Sequence, residues 1–123
     1  MKYACLVYYN EADMNAMTPA DWDALNMECL AYGEDIAESG HRLGGEALAP
    51  TPTAITVRVR NGAITTTDGP FAETREQLAG FYLIEARDLN EAVQTDARIP
   101  PARLGSIEVR PVRELPTSGN EQP

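Results

Sequence analysis

Residues 3–9 are apolar on both sides of an extended chain, with Tyr3, Cys5, Val7 and Tyr9 on one side and Ala4, Leu6 and Tyr8 on the other. A strand of that pattern has to be covered twice. From Thr18 the period changes. Thr18-Pro19-Ala20-Asp21 supplies a capping hydroxyl, a proline at the first helical position and an early carboxylate for the helix dipole. Trp22, Leu25, Cys29, Tyr32 and Ile36 then recur at spacings of three and four, which predicts a helix from about 19 to 38 with a single apolar stripe. The stripe reads as core packing rather than a cofactor box.

Gly40 is placed to end that helix in a left-handed conformation, and residues 41–48 read as a short, irregular strand whose glycines point to a bulge or a close backbone approach. After Pro50 and Pro52, Ile55, Val57 and Val59 alternate with Thr56, Arg58 and Arg60 up to Asn61-Gly62, a strong hairpin signal. A charged turn follows, then an apolar strand from Gly80 to Ala86. Asp88-Leu89-Asn90-Glu91 has capping-box character and opens a shorter helix that Pro100 and Pro101 must end. Residues 105–112 form the last strand, and 113–123 read as a flexible tail after a single domain over 1–112.

The order is a split βαββαβ arrangement, α+β in class, with an inserted β-hairpin and helices on one face of an antiparallel sheet. The other face is left open. Tyr8, Tyr82 and Ile84 are assigned to it with the first strand's second apolar side, and a second copy packing sheet to sheet is the economical cover, so a homodimer is expected.

At 123 residues the chain suits one core, and 43% hydrophobic with 24% charged residues is an ordinary globular composition. The formal charge of -9, with no Lys/Arg cluster to offset it, argues against nucleic acid and anionic membranes as partners. No apolar run approaches the roughly 20 residues that span a bilayer, and the first ten lack a cleavage-site pattern, so a cytoplasmic protein is expected. Cys5 and Cys29 read as small buried thiols, and with one histidine in the chain no zinc site, metal or cofactor is expected.

The stretch Asp68-Gly69-Pro70-Phe71-Ala72-Glu73-Thr74-Arg75-Glu76-Gln77-Leu78-Ala79-Gly80-Phe81-Tyr82-Leu83-Ile84 closely resembles the DGPF-type (DGPF domain) members of the YCII-related family. Met1-Lys2-Tyr3, Gly45-Glu46-Ala47-Leu48, Thr56-Val57-Arg58-Val59-Arg60 and Arg103 to Val112 are similar to the corresponding parts of that family, so the resemblance covers about residues 1–112. It implies a ferredoxin-like fold assembled as a dimeric α+β barrel. Most DGPF-type proteins lack an assigned reaction. Relatives in the wider group include a dehydrochlorinase acting on a chlorinated hydroxyquinol, associated with a His/Asp pair, and some DGPF-type proteins are associated with extracytoplasmic-function sigma factors. This chain departs from the His/Asp pattern, because its single histidine follows the first helix.

His41 is the one side chain whose ordinary pKa, about 6.5, lies near neutrality, and Asp68 or Glu46 is a candidate to orient it as a base; the bland reading is a polar residue capping helix carbonyls or facing water. Asp68 equally suits an Asx-type turn, and Phe71 a hydrophobic anchor for the loop. Glu73, Arg75, Glu76 and Gln77 are candidates to line a polar cleft, with Arg75 for an anionic group, against the alternative of a solvated charged loop. Tyr8, Tyr9 and Tyr82 offer phenols to an intersubunit pocket or simply pack there. The expectation is a protein that binds a small organic molecule in a cleft near the 68–77 loop, with metal-independent acid/base chemistry as its candidate reaction. The alternative is a non-enzymatic binding or regulatory module for a protein partner such as a sigma factor.

Overall fold

A computed structural model describes residues 1–116. The tail expected over 113–123 falls largely on residues 117–123, outside the described residues. In chain order the elements are β1 (Lys2–Tyr9), α1 (Glu11–Asn15), α2 (Pro19–Glu38), β2 (Arg42–Ala47), β3 (Ile55–Arg60), β4 (Ala63–Asp68), β5 (Gln77–Glu85), α3 (Leu89–Asp96) and β6 (Ser106–Pro111).

The main sheet is antiparallel with strand order β2-β5-β1-β6, consistent with a ferredoxin-like α+β fold. The caps read from the sequence are made. Thr18 Oγ1 accepts from the Asp21 backbone N–H at 3.1 Å, and Asp88 Oδ1 accepts from that of Glu91 at 2.9 Å. Each such bond satisfies an amide the helix cannot, at about 1 kcal/mol. The short α1, which the sequence reading did not anticipate, is capped in the same way by Asn10.

Tyr3, Cys5 and Val7 of β1 meet Tyr32 and Ile36 of α2 and Ala92 of α3 in the core, with Ile84 and Ile99 beside them. Tyr82 packs edge-on against Tyr32, with ring centroids 5.3 Å apart. This corrects the assignment of Tyr82 and Ile84 to the open face. The register sets Tyr3 opposite Ile84 and Cys5 opposite Tyr82, and directly opposed residues share a face, so both belong to the helix side. The open side instead carries Leu6 opposite Phe81, Ala4 opposite Leu83 and Tyr8 opposite Leu78.

β3 and β4 pair only with each other, as a two-stranded sheet closed by Asn61 and Gly62 with φ of 53° and 77°. Both turn residues take the positive φ that such a hairpin demands. Ile55, Val57, Val59 and Ile64 each stay more than half exposed along it.

Candidate functional site

The 68–77 loop is tied mainly to neighbouring segments, at Asn10, Glu11, Ala54 and Ser106. Asp68 ends β4 opposite Ile55, exposed, and the turn is tied by Gly69 N–H donating to Ala54 O at 2.7 Å rather than by the Asp68 carboxylate. Phe71 is 81% exposed, so it is not the core anchor that the sequence suggested. Glu76 accepts from Ser106 Oγ at 2.8 Å, and Gln77 accepts from Glu11 N–H at 2.8 Å while donating to Thr74 O at 2.6 Å. Asn10 Nδ2 donates to Arg75 O at 2.8 Å. These bonds occupy the Glu76 and Gln77 side chains, whereas the Glu73 and Arg75 side chains are exposed and, among the described residues, make no ion pair.

His41 has other partners than those expected. Its Nδ1 lies 2.7 Å from Ser39 Oγ and its Nε2 lies 3.2 Å from Glu91 Oε1. Neither Asp68 nor Glu46 is bonded to it. Glu46 lies five residues further along the chain and strand, about 16 Å at the rise of an extended chain. Asp68 belongs to the other sheet. Glu91 also accepts from the Arg87 backbone N–H at 3.0 Å. That bond first holds its carboxyl below the usual range; burial, second in size, opposes it, and the Arg87 guanidinium and His41 add to the lowering.

A concavity lies elsewhere, between α2 and the β2–β5 pair, with a volume of about 600 Å³. Trp22, Leu25, Cys29 and Gly33 line it from α2, and Val7, Tyr9 and Tyr82 from the sheet. Its floor depends on glycine, because a Cβ on Gly80 would lie 2.8 Å from Glu46 O and one on Gly45 would lie 2.8 Å from Phe81 O. Side chains there would push β2 away from β5.

Burial is the main effect raising the pKa of Tyr9, Tyr82 and Cys29. Glu11 and Cys29 add to it at Tyr9, and Cys29 adds to it at Tyr82, where the Arg42 guanidinium pulls the other way. At Cys29, Glu28 adds and Arg103 opposes. All three groups are therefore neutral near pH 7, able to donate a hydrogen bond. Among the described residues neither the Tyr9 nor the Tyr82 hydroxyl is bonded to another group, whereas the buried Tyr32 hydroxyl donates to Thr95 O at 3.0 Å.

Of the residues singled out in the sequence, the cavity takes Tyr82, Tyr9 and the backbone side of Glu46, while Tyr8 faces the open side of the sheet. Trp22, Cys29 and Arg42 were missed. Cys5 is fully buried as expected, but Cys29 is only half-buried because its side of the helix stripe meets a gap. The available signal was Gly33 and Ala37, small residues on the lining side of α2 that leave the space unfilled.

Among the described residues no three His, Cys, Asp or Glu side chains gather as a metal site, and no helix is long and apolar enough to cross a membrane. Compared with known proteins, the chain matches the YCII-related domain over residues 1–116. It is also 39% identical over 115 residues to an uncharacterized protein of Rhizobium meliloti (strain 1021), a match covering 91% of this chain and 92% of that one.

Proposed function

Since this chain belongs to the YCII-related domain family, we propose that it binds a small organic molecule, and that the molecule enters the cavity between α2 and the β2–β5 pair. The single observation behind this reading is an apolar recess of about 600 Å³ onto which two unbonded, neutral phenols and a neutral thiol converge. That volume falls within the range of ordinary small-molecule sites, and a few polar groups in an apolar lining are what fixes a ligand's orientation. If an occupant is chemically changed, the Tyr82 phenol is the donor placed to protonate it, in preference to His41, which is engaged with Ser39 and Glu91.

The test is a thermal-shift screen of small aromatic and aliphatic compounds against the wild type and Gly33→Leu. A Cβ at Gly33 meets nothing within 4 Å, so the leucine side chain is expected to fill the cavity without breaking α2. Compounds that raise the melting temperature of the wild type and not of the variant support the reading. Equal shifts in both proteins overturn it.

The assembly that accompanies this reading is a homodimeric α+β barrel. Its support is the open face, where Leu6 and Phe81 stand opposite each other and Phe81 remains 37% exposed. A second reading, a non-enzymatic module for a protein partner, draws on the exposed Ile55, Val57, Val59 and Ile64 of the hairpin. A screen in which no compound shifts the wild type would favour it.

A further inference from the structure

Resting on the cavity reading above, we infer that the ligand is a monocarboxylate with an apolar body, its carboxylate held by Arg42 with the Tyr82 hydroxyl as second donor. Arg42 carries a charge with no carboxylate partner among the described residues. Arg87, Arg98, Arg103 and Arg110 each sit within 4.0 Å of a carboxylate, in a chain where acidic residues outnumber basic ones by 19 to 10. Lys2, Arg58, Arg60, Arg75 and Arg113 likewise have no such partner among the described residues, but it is Arg42 that lines the cavity, and its Nη2 reaches only Gly45 O at 3.4 Å.

The strand places this guanidinium where it can act on an occupant. Arg42 is paired with Ile84 and Gly45 with Tyr82, and Ile84, in the core, and Tyr82, in the cavity lining, are on the helix side of the sheet rather than the open side. Ile84 and Tyr82 are two residues apart on one side of β5, so Arg42, set opposite Ile84, neighbours Tyr82 on that side, and both line the cavity. A guanidinium and a neutral phenol side by side present donors only, and a carboxylate is acceptor only. The rest of the lining, from Trp22, Leu25 and Val7, asks for an apolar body.

Two carboxylates also line the cavity, and neither forms an ion pair with Arg42. Glu46 is paired with Phe81, so its side chain belongs to the open side, and Glu34 and Arg42 are both exposed, so water screens the repulsion Glu34 exerts while direct contact with Arg42 is kept. The chain's net charge of -9 gives an anion no long-range attraction, so selectivity has to come from contact with Arg42.

The experiment titrates the full chain with octanoate, 4-phenylbutanoate and 2-naphthylacetate, each beside its primary amide, and reads the fluorescence of Trp22, the chain's sole tryptophan. For at least one body the acid is expected to bind about tenfold tighter than the amide, the size of one charge-assisted contact. Arg42→Gln is expected to remove that preference while leaving amide affinity within about twofold, and Arg42→Lys to keep part of it. The assignment is overturned if amides bind as well as their acids, or if the preference survives Arg42→Gln with an unchanged far-ultraviolet circular dichroism spectrum. If no acid or amide perturbs Trp22 or the melting temperature, the cavity reading fails and the carboxylate falls with it; amides binding without their acids sink the carboxylate alone.

Discussion

His41 Nε2 lies 3.2 Å from Glu91 Oε1, so the chain's one imidazole joins the residue ahead of β2 to the first turn of α3. That geometry describes a brace. His41→Gln is expected to lower the melting temperature while leaving the Trp22-reported affinity for any cavity ligand within about twofold. A loss of ligand affinity beyond about tenfold would return His41 to the site.

The same carboxylate sets an acid limit on the brace. Because the folded-state pKa of Glu91 is depressed, its stabilisation is present above the ordinary carboxylate range and is lost as pH falls through the depressed value. Glu91→Gln should therefore melt below the wild type at neutral pH, and the gap should close in scans run below about pH 4. A gap independent of pH would mean that charge plays no part.

Asp96 predicts the opposite slope. It is 2% exposed, neither carboxylate oxygen has a hydrogen-bond partner among the described residues, and burial raises its pKa from 3.8 to about 6. The Cys5 thiol lies near enough to lower that value somewhat, yet its own contact, at 4.0 Å, is with Tyr3 O. Ionising a group whose folded pKa is raised costs stability, so stability should fall from about pH 4 to pH 6 and level off above. At about 1.4 kcal/mol per unit, Asp96→Asn should recover up to about 3 kcal/mol at pH 7.5, less whatever the buried amide leaves unbonded. Melting curves from pH 4 to 8 check this, and parallel curves for the two proteins would refute it.

Gly33 sits inside α2 with open space around its Cβ position. Gly33→Ala should stabilise the protein by roughly 0.5–1 kcal/mol, through the conformational freedom that glycine loses in a helix. Urea unfolding measures it. A destabilised variant would show that the space over the sheet is not available.

Phe81→Glu puts a charge in the middle of the open sheet face, opposite Leu6. Light scattering should find a dimer for the wild type and a monomer for the variant, with the secondary structure unchanged. A wild-type monomer would remove the reason for covering that face with a second copy.

Much of the fold was legible because it is encoded locally. Thr18, Asp88 and Asn61-Gly62 announce two helix starts and a turn through groups that act within three residues of themselves. Register is different. The placement of Tyr82 against Tyr32 depends on a pairing between β1 and β5 that spans most of the chain, and alternation within either strand cannot say which side faces the helices. The cavity was hidden for a related reason. Trp22 and Cys29 fit the same apolar stripe as Leu25 and Tyr32, and a stripe carries no information about how closely the sheet approaches each turn of it. In the 68–77 loop the Glu76 and Gln77 side chains are taken up by bonds that hold the loop, which the sequence alone could not distinguish from groups free to meet a ligand.

The self-contained pairing of β3 with β4 makes the hairpin a replaceable cartridge. Its register owes nothing to the main sheet, and its base is held at Gly69 by Ala54 O and the Thr56 hydroxyl. Residues spliced between Asn61 and Gly62 would lengthen an arm without re-registering β5 or disturbing the floor beneath Trp22. The hairpin tip is thus a place to mount a label while the recess under α2 keeps its shape.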